Sequence, residues 1–270
     1  MTINSNIKAL YTPVQPTIQP TSGCVSYREF PPDIRLSAYI YCYWQLKTDC
    51  KLPAEFKYQV VADGCMDIYF ELDNPSEAYI SGFSAHCTEF QLGKTFHYIG
   101  IRFYPAMFPL LFQMDASELS HRSELLQLVL PEKANYFKMH FNSDQDTETI
   151  KQKLDHYYLN QINRTVLQPD FRFFSATDKI FKNSGNLNVE TDLNTGISPR
   201  QLRRLSKYYL GDSVKTFCKV VRFQNALQQH SNPNGRNEYS FLDYGYYDQA
   251  HFIKEFKSMY GLTPKNALKQ

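Results

Sequence analysis

The hydrophobic period of this chain changes once, and that change limits the architectures open to it. Between Tyr27 and about Phe103, short runs dense in aromatic and β-branched residues (Ala38–Leu46, Met66–Leu72, Ala78–Ile80 and His97–Phe103) have the composition of strands. Asp63-Gly64, Asp73-Asn74-Pro75 and Leu92-Gly93-Lys94 supply turns between them. After Tyr104 the spacing becomes helical. Asp115 is a capping residue ahead of Leu119, and Leu125, Leu126 and Leu128 to Leu130 add apolar surface before Pro131. Ile150, Leu154, Tyr157 and Tyr158 fall at i, i+4, i+7 and i+8 and predict an amphipathic helix from Thr147 to about Gln161. Beyond Gln168-Pro169-Asp170, about seven short helices separated by Gly and Asn turns are expected. The expected fold class is α+β: a β-rich barrel-like part with flanking helices, then an all-α part.

Charge divides the chain at the same place. Residues 1–169 carry 14 Lys/Arg against 18 Asp/Glu, whereas residues 170–270 carry 15 against 9. Only the C-terminal portion therefore has an electrostatic case for binding a polyanion. Residues 1–22, rich in Thr, Pro, Gln and Asn, are expected to form a flexible lead-in. Residues 23–168 are expected to form a β-rich domain, and residues 169–270 an all-α one. No apolar h-region opens the chain and no run could span a bilayer, so a cytoplasmic protein without membrane contact is expected. The six cysteines show no C-x-x-C pair and are expected to be reduced and mostly buried.

The basic residues of the C-terminal portion are ordered. Arg200, Arg203, Arg204 and Lys207 fall at i, i+3, i+4 and i+7, a single helical stripe, while Leu202, Leu205 and Tyr209 form a separate apolar one. Ser198 suits the N-cap, Pro199 the first helical position and Gly211 the stop. A helix ending at Asn194-Thr195-Gly196 followed by this one makes a helix-turn-helix. The pattern recurs, with a short helix over Tyr239–Tyr244, a turn at Gly245-Tyr246-Tyr247 and a second helix from Asp248 to Tyr260, stopped by Gly261. There Asp248 caps rather than reads, Phe252 and Phe256 pack inward, and Gln249, His251, Lys254 and Lys257 are left outside. A connecting helix from Ser213 to about His230 joins the two units. Two such units can place their second helices in successive major grooves.

The stretches Ile197–Leu205, Val221–Leu227, Gly245–Lys257 and Tyr260–Pro264 strongly resemble the DNA-binding domain of AraC-type transcriptional regulators over about residues 170–270. Ala62–Ile68 and Gly100–Ala106 more weakly resemble the sensory domain of one AraC-type subgroup, similar to cupin-like β-barrels. The resemblance implies a double helix-turn-helix with major-groove contacts from Arg200, Arg203 and Arg204 in one helix and from Gln249, His251 and Lys254 in the other. Gln201 and Lys207 would approach phosphates or flanking bases. It also implies double-stranded DNA and RNA polymerase as partners, a small-molecule effector and a homodimer. Arginine grips guanine bidentately and glutamine can pair with adenine, so the residue types suit the role. Two departures stand out. Ser206 replaces a usual Phe, and Phe241, with Ser240 beside it, replaces a usual small Ala.

Rival readings fare less well. Metal-dependent catalysis in a cupin-like barrel needs clustered ligands, and His86, His97, His121 and His140 lack ligand spacing. No P-loop, G-x-S-x-G or dinucleotide fingerprint is present, so no catalytic residue, cofactor or metal is expected. The alternative is a protein-interaction or ligand-binding module with a degenerate helix-turn-helix domain. The effector site cannot be assigned from sequence. Tyr41, Tyr43, Trp44, Tyr69 and Phe70 could line an apolar cavity, though ordinary core is the more usual place for aromatic strand residues. Arg102 could anchor an anionic ligand or form a surface salt bridge, the second being the preferred reading.

Overall fold

The computed structural model describes residues 7–15, 23–230 and 244–267. After a single helical turn, α1 (Ile7–Leu10), come β1 (Val25–Phe30), β2 (Ile40–Thr48), β3 (Phe56–Val60), β4 (Met66–Glu71), β5 (Ala78–Ser81), β6 (Thr88–Leu92) and β7 (His97–Phe103). A short helix α2 (Met107–Phe112), β8 (Ser123–Leu125), α3 (Leu126–Val129), α4 (Pro131–His140) and α5 (Thr147–Arg164) complete the β-rich part. The α+β class is as expected. The cupin-like barrel, however, is not closed. Six strands form an antiparallel sheet in the order β1-β2-β7-β4-β5-β8, while β3 and β6 pair only with each other. The ribbon therefore lies beside the sheet instead of joining its edges.

Strand alternation gives the sheet two different faces. Tyr43, Ile68 and Ile101 stand side by side across β2, β4 and β7, and pack with Phe137, Leu154 and Tyr158 of the flanking helices. On the opposite face Trp44, Gly100 and Tyr69 stand side by side, toward the ribbon residues Tyr58 and Phe90. The five aromatic positions for which cavity wall and ordinary core were both open are divided between the two by parity. Trp44 and Tyr69 face the cavity described below, whereas Tyr43 and Phe70 are core beneath the helices and Tyr41 packs edge-on against Tyr104.

Two further expectations fail for reasons of register and packing. The stretch expected to be a flexible lead-in is docked over residues 7–15: Ile7 and Tyr11 are buried, and Tyr11 stacks on Phe181 with its hydroxyl donating to the Asp63 carbonyl at 2.6 Å. Cys24 and Cys50, expected to be thiols, form a disulfide, because the antiparallel pairing of Val25 with Thr48 brings their Cα atoms to 5.2 Å. The remaining four are free. Burial pushes the Cys42 and Cys65 thiols well up, and that of Cys218 to about 11.

The helical part comprises α6 (Phe171–Lys182), α7 (Pro199–Leu210), α8 (Val214–His230), α9 (Gln249–Tyr260) and α10 (Pro264–Ala267). It shares one apolar cluster with the β-rich part, in which Val61, Phe83 and Tyr104 meet Phe173, Phe217 and Phe256. Polar bonds fix the orientation. Gln224 of α8 is buried, accepts the Val14 N–H at 2.7 Å and donates to the Ala62 carbonyl at 2.7 Å. An unmade bond at such a site would cost about 1–3 kcal/mol, so this contact specifies the docking.

Candidate nucleic-acid interface

α7 starts and stops on local chemistry. The Ser198 hydroxyl accepts the Gln201 N–H at 3.3 Å, Pro199 occupies the first turn, and Gly211 at φ +84° donates to the Lys207 carbonyl at 2.9 Å. Leu205, Tyr209 and Leu210 are buried, and Tyr209 stacks on Phe173 at 5.0 Å. That seating leaves Arg200, Arg203, Arg204 and Lys207 exposed, with Gln201 half-buried. Among the described residues none of these four cations forms an ion pair. Ser206, the departure from the usual aromatic, is fully buried and its hydroxyl donates to the Asp212 carbonyl, tying α7 to the turn before α8.

α9 repeats the design. The Asp248 carboxylate accepts the His251 N–H at 2.7 Å, and Gly261 at φ +90° closes on the Lys257 carbonyl at 2.9 Å. Phe256 is buried against Phe223, while Gln249, His251, Lys254 and Lys257 are exposed. His251 is partly engaged, 3.5 Å from the Glu255 carboxylate and edge-on to Tyr246. Glu255 itself is held by Lys219 at 2.9 Å. Tyr247 was not singled out from the sequence, yet at 90% exposure it is the most open large apolar side chain among the described residues. Its signal was its place between the buried Tyr246 and the cap Asp248.

The first scaffold helix differs from expectation. Ahead of Asn194-Thr195-Gly196 the described residues hold a single turn over 189–192, closed by the Asp192 N–H on the Asn188 carbonyl at 2.9 Å, and no regular helix. The side chains of Asn188 and Asp192 take the amides of Glu190 and Asn188, local bonds that compete with helix. α6 braces the turn instead, through Lys179 Nζ on the Asn194 carbonyl at 3.0 Å. The second expected scaffold, Tyr239–Tyr244, with Ser240 and Phe241, falls mainly outside the described residues. Arg222 of α8 links the two units, donating to the carbonyls of Gly185 at 3.2 Å and Gly245 at 3.4 Å.

Both exposed helices are anchored at their C-terminal ends by the β-rich part. The amides of Ala62 and Cys87 donate to the Met259 and Ser258 carbonyls of α9, at 3.1 and 3.0 Å, satisfying groups a helix end leaves orphaned. Just after α7, the Ser120 hydroxyl donates to the Gly211 carbonyl at 2.5 Å, and His121 lies 3.1 Å from the Asp212 carboxylate. The N-terminal halves and cationic sides remain outward. The stripe of α7 opens on a recess of about 1120 Å³ that Pro109, Leu110, Gln113 and Asp115 of the β-rich part also line. Groups of His, Cys, Asp and Glu able to hold a metal are absent among the described residues, and none of the described helices is long and apolar enough to cross a membrane.

Two stretches match known families: residues 194–270 a helix-turn-helix domain, and residues 28–124 a domain of unknown function (DUF6597). The C-terminal part is an AraC-type helix-turn-helix domain, and the chain carries an N-terminal domain of the second family. The helix-turn-helix match supports a DNA-binding transcription regulator, a class that is usually not enzymatic. Among solved structures, ToxT from Vibrio cholerae O395 is 9% identical over 92% of this chain and 98% of that one, with a TM-score of 0.44. Another ToxT crystal form from Vibrio cholerae is 11% identical over 91% and 97%, with a TM-score of 0.41. ToxT from Vibrio cholerae O395 bound to (E)-4-(8-methylnaphthalen-1-yl)but-3-enoic acid gives 10% over 91% and 97%, with a TM-score of 0.40. No curated protein matches the chain.

Proposed function

We propose that the protein is a sequence-specific, effector-responsive transcription regulator of the cytoplasm that reads two successive major grooves of duplex DNA. Arg200, Arg203 and Arg204 of α7 and Gln249, Lys254 and His251 of α9 meet base edges, while Gln201 and Lys207 meet phosphates or flanking bases. Tyr247 adds an apolar contact at the entry of α9. The observation that carries this reading is the pairing of two capped helices, each docked at its C-terminal end and presenting cationic side chains outward.

The recess beside α7 supports a mode of control. Residues 109–115 share the space that a DNA backbone would enter along the arginine stripe. Effector binding or homodimerisation that shifts the β-rich part would therefore change how fully α7 can seat, and with it recruitment of RNA polymerase. The loop from Val61 to Cys65 is the natural relay, since it touches α9 through Ala62 and α8 through Gln224. Hydroxyl-radical footprinting on a selected duplex tests two-groove reading. Two protected patches on one DNA face, about 34 Å apart, are expected. A single patch would leave α7 as the sole reader.

A further inference from the structure

Between the sheet and the β3–β6 ribbon lies a cavity of about 350 Å³, at the small end of the usual ligand range of about 300–1,000 Å³. The absence of a side chain at position 100 decides how its tryptophan wall is seated. Trp44 lies across Gly100, where a Cβ would come within 2.0 Å of the indole. Trp44, Tyr58, Tyr69, Tyr79 and Phe90 supply its aromatic walls, with Tyr69 stacked on Tyr79 at 5.5 Å and edge-on to Phe90 at 6.1 Å.

The charged end is acid-rich. Arg102 was expected to bridge at the surface, yet it is 1% exposed, and its guanidinium donates to Asp67 at 2.9 Å with Asp63 at 3.4 Å. Asp67 also receives the Trp44 indole N–H at 2.9 Å. The remaining Arg102 nitrogen, Nη1, has no hydrogen-bond partner among the described residues, and Glu29 lies 3.7 Å from it. Three carboxylates, Asp67 at 2.9 Å, Asp63 at 3.4 Å and Glu29 at 3.7 Å, thus surround one buried guanidinium. An anion entering here would meet two carboxylates already holding the guanidinium. A cation would meet ring faces and relieve an excess of negative charge.

We infer that this cavity binds a lipophilic organic cation, an ammonium group carried on an aromatic or apolar body, seated among Trp44, Tyr58, Tyr69 and Phe90 with its charge toward Asp63 and Asp67. The inference rests on the regulator reading for its biological meaning, since such a ligand would act beside the Val61–Cys65 loop. Its chemistry stands separately.

Trp44 is the chain's single tryptophan, so its fluorescence reports occupancy directly. Phenyltrimethylammonium, its neutral isostere tert-butylbenzene, and benzoate are titrated into the full-length protein. The cation quenches saturably and binds about tenfold or more tighter than the neutral isostere, while benzoate does not bind. Asp63→Asn keeps an acceptor for the Cys65 amide, which the carboxylate now holds at 2.9 Å, and weakens the cation about tenfold without affecting tert-butylbenzene. Tyr69→Leu weakens the cation through the wall and serves if the first variant does not fold. Equal affinity for the isostere, preference for benzoate, or no response to any probe overturns the inference. Duplex DNA binding by the same preparation separates this failure from failure of the regulator reading.

Discussion

Replacing Arg203 and Arg204 together by alanine lowers affinity for a selected duplex by about 2–6 kcal/mol, roughly thirty-fold to twenty-five-thousand-fold, when both side chains meet base edges. The estimate takes about 1–3 kcal/mol for each arginine. Both side chains are exposed and unpaired among the described residues, so folding stability changes by no more than about 0.5 kcal/mol and the loss belongs to binding. Fluorescence anisotropy against the selected duplex and against unrelated DNA makes the measurement. Loss confined to the selected duplex indicates base reading. A uniform loss with a shallower salt dependence indicates phosphate contact. Unchanged affinity for both duplexes would remove α7 from the interface.

The largest effect on stability is expected from Gly185→Ala, about 2–5 kcal/mol. Gly185 sits at φ +70°, where an L side chain is strained by about 1–2 kcal/mol, and its missing Cβ would lie 2.1 Å from the Cys218 carbonyl in α8. Crowding adds about 1–3 kcal/mol. The neighbouring turn provides the control. Gly196 has φ +74° but nothing within 4 Å of its absent Cβ, so Gly196→Ala carries only the backbone strain. Urea denaturation of the two variants compares them directly. Equal losses would mean that close packing of the Gly185 turn on α8 contributes nothing.

Much of this fold was legible because its signals are local. The caps Ser198 and Asp248 and the stops Gly211 and Gly261 are read from chemistry within one turn, and the helix expected from Thr147 to about Gln161 extends only to Arg164. β2, β4, β5 and β7 carry dense aromatic and branched runs. β3 and β6 went unread although Phe56, Tyr58 and Val60, and Phe90 and Leu92, alternate as half-buried strands do. Lys57, Gln59, Glu89 and Gln91 between them dilute the apolar density.

What was not legible depends on partners distant in sequence. The Cys24–Cys50 bond follows from β1–β2 register, and the docking of Tyr11 from a partner 170 residues away, Phe181. Arg102 looked like a surface group because its strand neighbours Ile101 and Phe103 already accounted for the core. Only the pairing of β7 with β4, which sets Arg102 opposite Asp67, shows that the other face is buried too. The stripe on α7 could be placed on one side of a helix from spacing alone. That residues 109–115 share its recess required the fold.

Duplex binding by the full-length protein as a function of salt tests the central claim most directly. Binding is expected at about 50 mM salt, with log affinity falling against log salt at a slope near −4 or steeper, as when about five cations displace counterions. Absence of duplex binding at that ionic strength, or an affinity indifferent to salt, would contradict it.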